Sequence, residues 1–88
     1  MKTIKVTDHA IARYAERVMG MRFAEHLTDQ VKIKFIKRVY RIRAIKDAIK
    51  NWKVVAGIKA FLGSGRFPAY QSVFTAVVIN YSIVTVLT

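Results

Sequence analysis

The chain has 88 residues, enough for one domain with a single modest core whose stability profits from a second copy or a bound partner. It has no cysteine, which excludes disulfides and cysteine zinc sites and suits a reducing cytoplasm; with only two histidines and five acids, no metal or other cofactor is expected. A hydrophobic fraction of 53% argues against disorder, and sixteen lysines and arginines give a net charge of +11, a field that draws in nucleic acid, an acidic protein or an anionic membrane surface.

The amino-terminal segment Thr3-Ile4-Lys5-Val6 reads as a short edge strand or an extended lead-in. It is not a continuous apolar stretch, so no secretory signal is expected. The stretch from Thr7 to Val18 carries the candidate chemistry. Thr7 suits an N-cap, and Asp8 places negative charge at the positive end of the helix dipole. At about 100° per residue, Ala10, Ile11, Ala12, Tyr14, Ala15 and Val18 sweep an apolar arc. His9, Arg13, Glu16 and Arg17 then share the remaining face, stacking an imidazole with two guanidiniums and a carboxylate at three- and four-residue spacing. That grouping can bind or cleave a phosphodiester. It is equally the pattern of a solvated helix face whose ion pairs contribute only ~0.3–0.5 kcal/mol.

Gly20 suits the left-handed residue just past the helix end. From about residue 23 to residue 49 the periodicity is again helical, with Leu27, Val31, Phe35, Val39, Ile42, Ile45 and Ile49 as the apolar seam. Thr28-Asp29 can cap a fresh helix, so this region is one helix or two. Lys32, Lys34, Lys37, Arg38, Arg41, Arg43, Lys46 and Lys50 lie between the seam positions, relieved only by Asp47, which points to polyanion binding. Tyr40 and Trp52 can stack bases or simply pack, and His26 reads as a surface or helix-end residue. Residues 54–62 lack helical spacing and read as a strand bent near Gly57. Gly63-Ser64-Gly65-Arg66 is a turn with a cation at its tip, followed by an extended Phe67-Pro68-Ala69-Tyr70. The β-branched runs from Val73 to Ile79 and from Ser82 to Leu87 form a hairpin around Asn80-Tyr81. Thr75, Asn80, Ser82 and Thr85 interrupt this most apolar region, so it does not span a membrane.

The predicted fold is therefore α+β: amino-terminal helices, about 7–50, on one face of a three- to four-stranded antiparallel sheet, about 53–87, in a single domain covering 1–88. Both faces of the final hairpin are apolar, so the face away from the helices calls for a cover, with a homodimer through the sheet as one solution.

With that order and motif in place, the sequence resembles small bacterial and phage proteins that begin with a His-Ala-x-x-Arg-x-x-Glu-Arg helix and end in a Val-Thr-Val type strand, a branch of the RelE-like ribonuclease group. The residues carrying the resemblance are His9-Ala10, Arg13, Glu16-Arg17 and Ile83-Val84-Thr85-Val86-Leu87. It implies helices against a four-stranded antiparallel sheet and metal-independent RNA cleavage by attack of a ribose 2′-hydroxyl on the adjacent phosphate. Under it His9 would transfer the proton, Arg13 and Arg17 would clamp phosphate, and Glu16 would orient an arginine or act as a second base. Thr85 would join from the matching strand, and Arg66 or Tyr70 would close the site. Toxin-type relatives imply an antitoxin as partner.

Two readings follow. One is a cytoplasmic endoribonuclease acting on host RNA through His9. The other is a non-catalytic basic effector, possible for a phage protein, that binds nucleic acid or inhibits a host protein through its acidic surface, using the segment from Lys32 to Lys50. The long basic middle segment departs from the resembled family and favours binding. An amphipathic helix on an anionic membrane is a third, weaker fit.

Overall fold

Two threonine caps start the helical half. In the computed structural model, which describes residues 3–88, Thr7 accepts the Ala10 N–H at 3.1 Å and opens helix α1 (Asp8–Arg17). Thr28 accepts the Val31 N–H at 3.3 Å and opens α2 (Asp29–Val39). Met1 and Lys2 lie outside the described residues. Val18 caps the end of α1 and Gly20 takes φ +75°, as the sequence predicts.

The basic region divides twice. Residues 20–28 are not helical, and a second break falls at Tyr40 and Arg41, both with extended backbone, before α3 (Ile42–Ile49). In α3 the seam residues Ile45 and Ile49 are buried as the sequence predicts, but in α2 the buried apolar residues are Ile33 and Ile36, whereas the expected Phe35 and Val39 are 42% and 68% exposed.

The expected strand after Asn51 is instead a helix, α4 (Trp52–Ala60). The Asn51 side chain caps it by accepting the Lys53 N–H at 3.0 Å, and Val54 and Ile58, four residues apart, are buried on one stripe. Gly57 lets the Phe67 ring approach closely: a Cβ there would stand 2.5 Å from Phe67 Cδ1. The local β preference of Val54-Val55 is worth a fraction of 1 kcal/mol and gives way to this packing.

The sheet comprises β1 (Lys5–Val6), β2 (Gly65–Pro68), β3 (Thr75–Ile79) and β4 (Ser82–Leu87), in the order β1-β4-β3-β2. The β2, β3 and β4 strands are antiparallel, but β1 runs parallel to β4, so the sheet is mixed rather than purely antiparallel. Lys5 N–H donates to the Tyr81 carbonyl at 2.9 Å and Thr7 N–H to that of Ile83 at 3.1 Å. The hairpin turn is the one the sequence predicts, with φ +48° at Asn80 and +64° at Tyr81.

A bulge in β4 aims its side chains. Val77 pairs with Thr85 and Val78 with Ile83, leaving Val84 without a partner across the ladder. Ile83 and Val86 are therefore both buried despite their odd spacing, in one core with Ala10, Ile11 and Ala15 of α1, Val54 and Ile58 of α4, and Phe67. The helices cover this one face. On the opposite face, Thr75, Val77, Thr85 and Leu87 are only half-buried and Ile79 is exposed. Among the described residues no helix is long and apolar enough to cross a membrane.

Gly63 joins the end of α4 to the hairpin: its N–H donates to the Ile58 carbonyl at 2.8 Å and its carbonyl accepts the Tyr81 N–H at 2.7 Å. Its φ is +90°, and a Cβ would lie 2.4 Å from the Tyr81 ring. Gly63→Ala should therefore destabilise the protein by about 2 kcal/mol, from strain and overpacking together. The melting temperature followed by circular dichroism should fall by roughly 10 °C.

Candidate histidine site and basic surface

The polar face of α1 is one continuous chain of contacts. His9 Nδ1 lies 2.9 Å from Asp29 Oδ2, in the first turn of α2. Arg13 Nε donates to His9 Nε2 at 3.4 Å, and Arg13 Nη1 reaches the Glu16 carboxylate at 3.4 and 3.5 Å. Lys32 Nζ then donates to Glu16 Oε1 at 3.0 Å. An arginine N–H can only donate, so His9 Nε2 is the acceptor and the ring proton sits on Nδ1, facing the carboxylate of Asp29. The imidazole is thus held at both ring nitrogens, with 42% of its side chain open to solvent.

The fold holds this face from below. The Thr7 hydroxyl caps α1 and lies 3.1 and 3.2 Å from the Ile83 and Val84 carbonyls, which seats the start of α1 on β4. At the other end Arg17 Nη1 donates to the Val86 carbonyl at 2.7 Å. Alanines at 10, 12 and 15 are fully buried and let α1 lie close to the sheet.

Of the expected site residues, the structure brings His9, Arg13 and Glu16 together. Arg17 is engaged with the β4 backbone. Thr85 alternates with buried Val86 and so belongs to the sheet face away from α1, because the bulge at Val84 reverses the alternation that would have put it beside Ile83. Arg66, exposed on β2, pairs with Val77, which in turn pairs with Thr85; this row is also on the far face.

Lys32 is buried rather than offered to a polyanion. It is held by Glu16 and lies 5.7 Å from the Phe23 ring centroid. Asp29 is the partner that sequence reasoning missed. It reads as a cap-and-dipole residue after Thr28, and its twenty-residue separation from His9 carries no periodic signal.

The remaining cations form a separate surface. Lys34, Lys37 and Arg38 recur on the side of α2 opposite Lys32, Ile33 and Ile36, and Arg41 and Arg43 follow, all exposed; Lys46 and Lys50 are half-buried. The Arg38 guanidinium lies 5.3 Å from the Phe35 ring centroid. This outer face points away from α1 and does not line the histidine. A surface groove of about 450 Å³ lies elsewhere, bounded by Thr3, Ile4, Asp47, Lys50, Val55 and Lys59. Among the described residues no three histidine, aspartate or glutamate side chains come together as a metal-ligand cluster. Comparison of the chain with protein-family models, with curated proteins and with solved structures gives no match.

Proposed function

We propose that this protein binds RNA and cleaves it without a metal ion, by attack of a ribose 2′-hydroxyl on the adjacent phosphate. The observation that carries this reading is the Asp29–His9–Arg13 chain: an imidazole held by a carboxylate on Nδ1, with Nε2 as proton acceptor facing an arginine, half open to solvent. His9 Nε2 takes the 2′-hydroxyl proton, and the oxygen attacks phosphorus. The bond to the 5′-oxygen breaks, leaving a 2′,3′-cyclic phosphate and a 5′-hydroxyl that takes its proton from solvent. The 3.4 Å Arg13 contact at Nε2 is long enough to yield to the hydroxyl, which frees the guanidinium for the charge growing on the phosphorane. Glu16 and Lys32 keep Arg13 on this face. The outer face of α2 tracks the RNA backbone at a distance from the chemistry.

The test uses a labelled oligoribonucleotide in EDTA, beside the same strand with a single 2′-deoxy substitution at the mapped cut. The RNA should be cut to a cyclic phosphate end and the substituted strand left whole at that position. Cleavage of both would contradict 2′-hydroxyl attack.

A second reading, a non-catalytic binder, is favoured by the separation of the α2 cations from His9. Changing Lys34, Lys37 and Arg38 together to glutamine should flatten the dependence of log affinity for single-stranded RNA on log salt by about 2, the share of three phosphate contacts. Fluorescence anisotropy at several salt concentrations reads this. An unchanged slope would remove the outer face of α2 from the binding surface under either reading.

A further inference from the structure

Residues 48–88 contain four cations, Lys50, Lys53, Lys59 and Arg66, and no acid. In this acid-free segment a pair of large rings stands side by side in solvent. Trp52 opens α4 and Tyr70 opens a 3-10 turn (Tyr70–Ser72); their centroids are 5.9 Å apart and their planes tilted by 43°. Trp52 is 66% exposed and Tyr70 53%.

The surrounding backbone is shaped to hold the pair. Asn51 Oδ1 accepts both the Lys53 N–H, which caps α4, and the Tyr70 N–H at 3.2 Å, so one side chain fixes the backbone at both rings. The next two residues, Gln71 and Ser72, take left-handed φ values of +59° and +55°, a conformation that side chains other than glycine disfavour. The turn is closed by Ser72 N–H to the Ala69 carbonyl at 2.9 Å and Ala69 N–H to that of Phe74 at 2.8 Å. Neither ring belongs to the buried core. A constrained turn thus presents aromatic surface to water beside exposed Lys53.

Aromatic faces next to cations suit unpaired nucleobases, because every base has a π-face to stack while lysines attract the backbone. Duplex RNA offers the same phosphates but keeps its base faces inside the helix. We infer that Trp52 and Tyr70 form a stacking site for the unpaired bases of single-stranded RNA. This rests on the RNA-binding reading above and adds a preference for single strands.

Trp52 is the chain's one tryptophan, so its emission reports the site directly. The full protein would be titrated with 2′-O-methyl oligoadenylate, which has no free 2′-hydroxyl to attack, and with duplex RNA of equal length, following tryptophan emission and the anisotropy of labelled strands. The single strand should quench Trp52. Trp52→Leu and Tyr70→Leu should each weaken single-strand binding roughly tenfold, the scale of one stacked base, and leave duplex binding unchanged. Trp52→Phe, which keeps a π-face, should retain most of the affinity. A strand that binds without quenching, and equally well to the leucine variants, overturns the stacking site and leaves RNA binding standing. Parallel loss of single-strand and duplex binding in those variants also overturns it, whereas absence of binding to either RNA overturns both.

Discussion

His9→Ala is expected to slow RNA cleavage roughly 100- to 10,000-fold, the contribution of a positioned proton-transfer group, while leaving RNA affinity unchanged. The expectation follows from what His9 does not do. It joins no core cluster, it is half-exposed, and its contacts with Asp29 and Arg13 are surface pairs that contribute little stability. Asp29→Asn should also lose most activity, because an asparagine amide donating to Nδ1 moves the ring proton to Nε2 and leaves no lone pair there to take the 2′-hydroxyl proton. Single-turnover cleavage at saturating protein separates these effects from binding. Melting temperatures close to the native value would show that neither change acts through the fold.

Glu16→Ala should have the largest effect on stability among the site residues, about 3 kcal/mol, by leaving the buried Lys32 ammonium without its carboxylate. In a domain of this size that is a large fraction of the total and corresponds to roughly 10–20 °C in melting temperature. The cause is the charge left behind rather than the contact removed. Lys32→Met on the Glu16→Ala background should therefore recover most of the loss, since an apolar chain of similar volume fits beside Phe23 and needs no partner. A double variant as unstable as Glu16→Ala alone would show that Glu16 acts through packing instead.

The features of the fold legible in the sequence were those fixed by local chemistry. Thr7, Gly20 and the Asn80-Tyr81 turn each need only near neighbours, and each lies where its residue type requires. What escaped was decided by distant contacts. Residues 54–60 carry β-branched residues and a glycine, and the Asn51 cap, the buried stripe of Val54 and Ile58 and the fit of Gly57 against Phe67 make them a helix. The parallel β1 depends on the last strand of the chain, and the reversal of Thr85 on one bulge residue. Within the site, His9, Arg13 and Glu16 could be grouped because a single helix face sets their spacing. Asp29 and Lys32 joined them only when α2 packed against α1.

On the proposed reading, the Asp29–His9–Arg13 face performs chemistry rather than only carrying charge. End-labelled total RNA incubated in EDTA with the native protein and with His9→Ala tests it most directly, the two lanes read side by side on a denaturing gel. Fragments with cyclic phosphate ends in the native lane and intact RNA in the other are the predicted result. Intact RNA in both lanes, or the same fragments in both, would contradict it.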